Sequence, residues 1–165
     1  MSTSASSSMR LGNPHQRRRR GPRQSLDGWS DAPIKSPADV LVLDSGGVSR
    51  LAERSTAAAA LLAALRAQGL WPPVVPTPML IEALQGDAAR DASANRLLKT
   101  CDVVEDIPER LARRAAALRT QARRGSAIDA LVVACAEPGG SVLTSDPDDL
   151  SALATHAHDV RIERV

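Results

Sequence analysis

Short apolar segments alternate with longer helix-like segments along residues 40–165, and this alternation predicts the fold. Five of the short segments are rich in Val, Ile and Leu, as is typical of strands buried in a parallel sheet. In chain order these are VLVLD at 40–44, PVVP at 73–76, CDVVE at 101–105, SVLT at 141–144 and DVRIERV at 159–165. Because helical patterns separate them, we predict an α/β domain with a central, mostly parallel sheet.

The segments between the strands begin and end with residues that mark helix boundaries. STAAAALLAALRAQG has Ser55 or Thr56 as its N-cap and Gly69 as its terminator. PMLIEALQG begins after Thr77, which is placed as an N-cap before a first-turn proline. Further helices are predicted at 91–99, 107–125, 127–136 and 146–156.

The first 38 residues differ in character from the rest of the chain. They are rich in Ser, Arg, Pro and Gly without an apolar period, and we predict a disordered tail at 1–38 before a domain at 39–165. Residues 1–39 carry seven Lys or Arg and three Asp, so the domain is slightly acidic although the whole chain is at +2. The run Arg17–Arg20 is either a phosphate-binding segment or a solvated tail, and translation could also start at Met9.

Composition limits the class of protein. The chain has 165 residues, enough for a domain with a real core, and 43% of them are apolar although Phe and Tyr are absent. The two cysteines, Cys101 and Cys135, lie in apolar segments, which indicates reduced thiols in a cytosolic protein and too few ligands for a zinc site. No segment approaches the roughly 18 apolar residues of a membrane span, and the N-terminus lacks the apolar part of a secretory signal. We therefore expect a cytoplasmic protein without membrane contact.

Four acidic residues stand at positions that carry chemistry in sheets of this kind. Asp44 and Asp146 each follow a predicted strand, and sites in parallel α/β sheets form beyond the carboxyl ends of strands. Glu82 lies about one turn into the apolar helix PMLIEALQG, and Asp129 lies in AIDALVVACA, which is apolar on nearly every face. A carboxylate buried without a partner is costly or becomes protonated. These four residues are therefore candidates for function.

Each acid also has a purely structural explanation. Asp44 could cap the next helix, Glu82 could face solvent on an amphipathic helix, and Asp129 could be a first-turn residue favoured by the helix dipole. Asp146 stands before a proline and reads as an N-cap, with Asp149 in the capping-box position. Local sequence leaves both explanations open at every one of these positions.

Taken together, the four carboxylates favour a metal site. Gathered at one edge of a sheet, they could not all stay ionised without cations. Hard divalent ions with oxygen ligands suit such a set, and Mg²⁺ or Mn²⁺ fits better than zinc because the domain has no His-rich or Cys-rich ligand set. An acidic cluster of this kind suits two-metal hydrolysis of a phosphodiester.

In order along the chain, these segments resemble a PIN domain. The matching stretches are VLVLDSGGVSRLAE with Asp44, VVPTPMLIEAL with Glu82, AIDALVVACA with Asp129, and VLTSDPDDL with Asp146 and Asp149. The resemblance implies a three-layer α/β/α fold and a Mg²⁺- or Mn²⁺-dependent ribonuclease. The chain is similar in particular to VapC-type toxins of bacterial toxin–antitoxin pairs, which implies an RNA substrate, a homodimer and a small cognate antitoxin protein.

The resemblance also implies roles for individual residues. The set that binds metal and carries catalysis is matched by Asp44, Glu82, Asp129 and Asp146. Asp149 matches a more variable metal ligand, and Ser45 and Thr144 match supporting polar neighbours. The pair Gly46-Gly47 departs from the family pattern and predicts a more mobile loop after the first aspartate.

Arginines on the predicted helix 107–125 could guide an RNA backbone, or they could form an ordinary solvated face. Those assigned to RNA are Arg113, Arg123 and Arg124. Three other functions stay open: a PIN nuclease of RNA processing outside any toxin pair, an inactive PIN-like binding module, and a phospho-acceptor receiver domain. The receiver is disfavoured because the one lysine of the domain, Lys99, does not follow the last strand.

Overall fold

A single parallel sheet organises the part of the chain that the computed structural model describes, residues 40–165. Its five strands are β1 (Leu41–Leu43), β2 (Val74–Pro76), β3 (Asp102–Val104), β4 (Ser141–Thr144) and β5 (Arg161–Arg164). They lie in the order β3-β2-β1-β4-β5, and every neighbouring pair is parallel. All five predicted strands are confirmed. The predicted tail, with its arginine run, lies outside the described residues.

Helices cover both faces of this sheet. They are α1 (Ser45–Ala52), α2 (Thr56–Ala67), α3 (Leu80–Ala83), α4 (Ala92–Leu98), α5 (Glu109–Ala122), α6 (Ala127–Ala136) and α7 (Pro147–Ala154). A 3-10 turn, Thr77–Met79, leads directly into α3. The predicted three-layer α/β/α fold is thereby confirmed. None of the helices within residues 40–165 is long and apolar enough to cross a bilayer.

The core lies along the central strands, as expected for a sheet that is covered on both faces. Every residue of β1 and β4 is buried. Val42 of β1 pairs with Val74 of β2 on one side and with Val142 of β4 on the other. Helix α6 is buried along most of its length, as its apolar sequence predicts. Leu, Val, Ala and one Met supply this interior without a buried aromatic ring.

The cysteines agree with the prediction of reduced thiols. Cys101 and Cys135 are both free and half-buried. Burial raises the pKa of the Cys101 thiol and that of the Cys135 thiol to about 11, so both stay protonated near neutral pH. A protonated thiol is a poor nucleophile and a poor metal ligand, which leaves these two side chains as packing groups.

The segment PMLIEALQG does not form the single helix that was predicted. Its start is the 3-10 turn and only four residues, Leu80–Ala83, are α-helical. Thr77 does not act as the N-cap, because its hydroxyl donates a hydrogen bond of 2.7 Å to the carbonyl oxygen of Val104 at the end of β3. The Thr77 hydroxyl, which local sequence assigned to a helix cap, therefore bonds to a tertiary partner instead.

A half-buried ion pair connects α5 to the C-terminus of α6. Arg114 of α5 makes two hydrogen bonds to the carboxylate of Glu137, of 2.7 and 2.6 Å, and a third of 2.9 Å to the carbonyl oxygen of His156. The backbone N–H of His158 donates to the same carboxylate at 2.7 Å. These bonds join α5, the end of α6 and the loop before β5.

The ionisation of Glu137 is shaped by this cluster. Burial alone would raise the pKa of Glu137, but the hydrogen bonds from Arg114 and from the His158 N–H, with the charge of Arg114, outweigh burial and lower it below the ordinary value of 4.5. A carboxylate whose pKa is lowered by folding stabilises the native state at pH values above its unfolded pKa. That stabilisation is lost as the pH falls through the lowered, native pKa.

We predict that Glu137→Gln lowers the free energy of unfolding near neutral pH by about 1–3 kcal/mol, because the Arg114 guanidinium loses its charged partner. The difference from wild type should shrink as the pH is taken below 4.5. Urea unfolding at a series of pH values measures both effects. The control is Glu109→Gln, which breaks the ion pair between Glu109 and Arg113. The side chains of both residues are 78% exposed. This exposed pair should contribute at most about 1 kcal/mol. An equal loss in both variants would contradict the prediction.

Candidate active site

The order of strands reverses between β1 and β4. From β1 the chain proceeds through β2 to β3 on one side, and it later places β4 and β5 on the other side. Clefts at such a point, outside the carboxyl ends of the strands, are where open α/β sheets bind ligands. Asp44 directly follows β1 and Asp146 lies two residues beyond β4. Both predicted acids therefore lie at the edge of the sheet where a site was expected.

The carboxylate of Asp44 is held from two directions. Asp44 is the N-cap of α1, and its Oδ1 accepts a hydrogen bond of 2.5 Å from the backbone N–H of Gly47. Its Oδ2 accepts one of 2.6 Å from the hydroxyl of Thr144. Burial is the largest influence and raises the pKa of Asp44, and the charge of Asp129 adds to the rise, while the two hydrogen bonds oppose it. Asp44 is thus both a helix cap and an oriented, half-buried carboxylate.

Thr144 connects the ends of two neighbouring strands. It is fully buried, and its Oγ1 accepts a hydrogen bond of 2.9 Å from the backbone N–H of Asp146 while its proton is directed to Asp44. One hydroxyl therefore fixes the carboxylate after β1 and the backbone after β4. The supporting position implied for Thr144 agrees with this geometry. Ser45, the other supporting residue, is half-buried as the first residue of α1.

Two glycines allow the first turn of α1 to lie against the end of β4. A Cβ atom at Gly46 would lie 2.2 Å from Ser145 Oγ and 2.9 Å from Ser145 N, and one at Gly47 would lie 2.3 Å from the carbonyl oxygen of Leu143. Only glycine avoids these clashes. The prediction of a mobile loop here is wrong, because these residues form the first turn of α1. The glycines serve close approach of two backbones rather than flexibility.

Glu82 and Asp129 bring further negative charge to the same edge. Partial burial, followed by the charges of Asp129 and then Asp44, raises the pKa of Glu82 above its ordinary value. Glu82 lies on the exposed face of α3, beyond the carboxyl end of β2. Asp44, Glu82 and Asp129 therefore influence one another electrostatically, as like charges at one edge of a sheet do.

Asp129 also has the structural role that was considered for it. It is the third residue of a capping box at the start of α6: the Ser126 hydroxyl accepts from the Asp129 N–H at 3.0 Å, and Asp129 Oδ2 accepts from the Ser126 N–H at 2.7 Å. This box uses one carboxylate oxygen, and a carboxylate has lone pairs for further partners. The cap orients Asp129 without excluding a second role.

Asp146 and Asp149 differ in their partners. Asp146 is the N-cap residue of α7 before Pro147, as predicted, but its exposed side chain makes no capping hydrogen bond. Asp149 is the third residue of α7, as predicted, but it forms no capping box, because α7 has no side-chain cap. The carboxylate of Asp149 instead pairs with Arg124, whose Nε and Nη2 lie 3.0 and 2.9 Å from its Oδ1. Of these two acids, Asp146 is therefore the one without a basic partner among residues 40–165.

The predicted RNA-binding arginines lie around α5. Arg113 pairs with Glu109 one turn away, at 2.7 Å. Arg123 is the C-cap of α5 in the left-handed conformation, with φ of 54°, and Arg124 pairs with Asp149. Two of the three are thus already bonded to a carboxylate.

A buried aspartate that sequence analysis did not identify supports the segment bearing Glu82. Asp91 is 6% exposed, and its two oxygens accept hydrogen bonds of 3.0 and 3.1 Å from the backbone N–H groups of Gln85 and Asp87. It thereby ties down the loop that leaves α3. The one signal in the sequence was its place at the start of a predicted helix, which does not distinguish an exposed cap from a buried anchor.

The chemistry of these donors fits a hard divalent cation. Within residues 40–165, none of the carboxylates of Asp44, Glu82, Asp129 and Asp146 forms an ion pair with a basic side chain. Carboxylate oxygens are the ligands that Mg²⁺ and Mn²⁺ prefer. In the same described part of the chain, however, no three His, Cys, Asp or Glu side chains are arranged closely enough to hold a metal ion. The acids share one edge, and binding an ion would require them to draw together.

Comparison with known families now adds to this geometry. A family model described as the PIN domain matches residues 41–155, which span β1 to the end of α7. This chain belongs to the PIN domain family. PIN domains are in general metal-dependent nucleases, so the acidic edge of the sheet is the candidate nuclease site of this PIN domain. Comparison with curated proteins found no significant match.

We predict that Thr144→Val destabilises this PIN domain by about 1–3 kcal/mol, because the buried N–H of Asp146 and the carboxylate of Asp44 both lose their hydroxyl partner. Thr144→Ser keeps the hydroxyl and removes one methyl group, which should cost about 1 kcal/mol. Urea unfolding of both variants measures the difference. If the valine variant were as stable as the serine variant, the hydrogen bonds of the Thr144 hydroxyl would not contribute to the free energy of unfolding.

Proposed function

We propose that this chain is a Mg²⁺- or Mn²⁺-dependent endoribonuclease with Asp44, Glu82, Asp129 and Asp146 in its active site. The observation that carries the proposal is the position of the Asp44 carboxylate at the strand reversal. There it is oriented by Thr144 and lies close enough to two other acids for their charges to interact. A cluster of like charges without basic partners is costly unless it serves to bind cations.

Each acid has a role that follows from its surroundings. Asp44, Asp129 and Asp146 would hold one or two divalent ions. A bound ion of this kind supplies Lewis-acid stabilisation of negative charge on phosphate oxygens and lowers the pKa of water. Thr144 and the Gly47 N–H keep the Asp44 oxygens in fixed orientation, as the structural hydrogen bonds show. Asp149, with its Arg124 partner, would act as a more variable contributor at the rim.

Glu82 is suited to handling a proton. Its carboxylate is exposed on α3, where water and substrate can reach it, and its pKa is raised above the ordinary value. A higher pKa makes a carboxylate a stronger base at neutral pH. We therefore assign Glu82 either as a further ligand or as the group that orients the attacking water and accepts its proton.

We further propose that the nuclease is the toxin of a toxin–antitoxin pair and acts as a homodimer in the cytoplasm. The support is the likeness of the segments around Asp44, Glu82, Asp129 and Asp146 to VapC-type toxins, in the same order along the chain. A small cognate antitoxin would then block the acidic edge. The exposure of Glu82 and Asp146 supports this proposal, because a protein inhibitor could reach both carboxylates.

We predict that purified protein cleaves RNA with Mg²⁺ or Mn²⁺ and not with EDTA. Asp44→Asn and Asp129→Asn should each reduce the rate by at least about 100-fold, because each removes a charge that holds cations at the cut phosphate. Cleavage of total RNA, followed on a gel, gives the rates. The matched control is Asp148→Asn, an exposed first-turn acid of α7 outside the cluster, which should cleave like wild type.

Two outcomes would contradict this assignment. Equal cleavage by wild type, Asp44→Asn and Asp129→Asn would mean that the activity comes from a contaminant. A folded wild-type protein that cleaves no RNA with either metal would favour an inactive binding module. Circular dichroism on every sample separates loss of activity from loss of fold.

The toxin role makes a separate prediction. Induced expression of the wild-type chain in a bacterial host should arrest growth, because uncontrolled RNA cleavage stops translation. Asp44→Asn at an equal protein level should not, and co-expression of a small protein encoded beside the gene should restore growth to the wild-type strain. Active cleavage in vitro without any growth defect would instead favour a PIN nuclease of RNA processing.

A further inference from the structure

A basic cleft lies between α2 and α4, on a different part of the molecule from the arginines of α5. Its volume is about 250 Å³, and its basic and aromatic lining residues are Arg54, Arg66, Arg96 and Trp71. The other lining residues are small, apolar or hydroxyl-bearing, and none is Asp or Glu. The cleft therefore gathers three positive charges without an acidic residue in its wall.

These three arginines make no ion pair within residues 40–165. The guanidinium of Arg66 lies over the ring of Trp71, 5.0 Å from its centroid. Arg96 Nη2 donates a hydrogen bond of 3.0 Å to Ser93 Oγ, and Arg54 is exposed. A cation–π contact and a hydroxyl bond orient a guanidinium without cancelling its charge. Arg66 and Arg96 are thus oriented by neutral partners and Arg54 is exposed. No carboxylate among residues 40–165 pairs with any of the three.

Three of the six arginines of α5 and the segment after it are neutralised by carboxylates. Arg113, Arg114 and Arg124 are each bonded to a carboxylate. A paired guanidinium must give up that partner before it can bind a phosphate, so its contribution to RNA affinity is smaller. Arg110, Arg119 and Arg123 form no ion pair among residues 40–165 either. The cleft between α2 and α4 differs from α5 because three unpaired arginines line one concave surface without an acid.

The cleft also adjoins a second cleft that extends toward the segment bearing Glu82. A second cleft of about 330 Å³ shares Ala52, Arg54 and Ser93 with the first and extends to Ala83, the residue after Glu82. Arg90 adds a further positive charge along it. The two clefts together thus lead from the three arginines to the residue next to Glu82.

Two acids line this second cleft, and both are already engaged. Glu53 pairs with Arg50 at 2.5 Å. Asp91 is buried and accepts two backbone hydrogen bonds from the loop after α3. Neither carboxylate forms an ion pair with Arg54 or Arg90. The charge of Glu53 is matched by Arg50, whereas the charge of Asp91 is buried beneath the second cleft.

We propose that the cleft formed by Arg54, Arg66, Arg96 and Trp71 binds phosphates of single-stranded RNA that flank the cleaved bond. This proposal rests on the proposed ribonuclease function. Guanidinium groups bind phosphate oxygens through paired N–H donors, and a strand needs such contacts because the acidic edge itself repels phosphate. The cleft can supply these contacts because none of the acidic residues lines it.

The test is RNA binding without cleavage. A fluorescein-labelled single-stranded oligoribonucleotide is titrated with the full chain in EDTA, and anisotropy is followed at several salt concentrations. The triple variant Arg54→Gln, Arg66→Gln, Arg96→Gln should bind at least about tenfold more weakly than wild type. Its slope of log affinity against log salt should fall by about 2, since each phosphate contact on a single strand contributes roughly 0.7.

Two matched variants separate the cleft from general charge and from folding. Arg54→Lys, Arg66→Lys, Arg96→Lys keeps the charge and should retain affinity within about threefold, with an unchanged salt slope. The triple variant Arg110→Gln, Arg113→Gln, Arg119→Gln removes the same charge from exposed positions of α5 and should lose less than about threefold. Thermal unfolding of all three confirms that each is folded.

The outcomes are distinguishable. A cleft variant that binds RNA like wild type, or an α5 variant that loses as much as the cleft variant, overturns the proposal even if wild type cleaves RNA. A cleft variant that binds RNA normally but no longer binds the small protein encoded beside the gene would assign the cleft to that protein instead. Absence of metal-dependent cleavage by wild type would overturn the proposed function, and the binding comparison would still decide what the cleft does.

Discussion

The hydroxyl of Thr144 is the bond on which the acidic edge of this molecule depends. It donates to the Asp44 carboxylate and accepts from the Asp146 backbone, so it joins the ends of two adjacent parallel strands. The same arrangement requires the first turn of α1 to lie against the end of β4, which Gly46 and Gly47 permit. A larger residue at either glycine would push α1 away and carry Asp44 with it. The sheet thus orients a carboxylate through close contact between backbones.

Charge is distributed to match this geometry. Burial and the charges of neighbouring acids raise the pKa of Asp44 and that of Glu82, and the acids at the edge have no basic partner among residues 40–165. Such an edge attracts cations and repels phosphate, so it can cut a nucleic acid only with cations present and with attraction supplied elsewhere. Arginines away from the edge divide into those paired with carboxylates and those left free. Only the free ones are suited to hold a polyanion, which is why the pairing of each arginine matters more than the number of arginines.

Local sequence failed where a tertiary partner competed with a local preference. The Gly46-Gly47 pair predicts a loop by propensity, yet it lies within α1 because only glycine fits against β4. Thr77 has the sequence of an N-cap, but it bonds to Val104, 27 residues away. The sequence pattern indicated only that Asp91 begins a helix, whereas the residue is buried and its carboxylate binds the loop after α3. None of these partners is visible from neighbouring residues.

Local patterns were enough to predict the five strands and the α/β class, because a run of apolar residues is costly to leave in water. They also named the acids as candidates, with a structural and a functional explanation for Asp129 and Asp146, and both explanations still apply to Asp129 in its capping box. Local patterns could not show which groups hold Asp44 or which arginines are paired with carboxylates. Those outcomes rest on bonds such as Asp44 to Thr144, 100 residues apart, and Arg124 to Asp149, 25 apart. Contacts at that separation form only when the sheet has assembled.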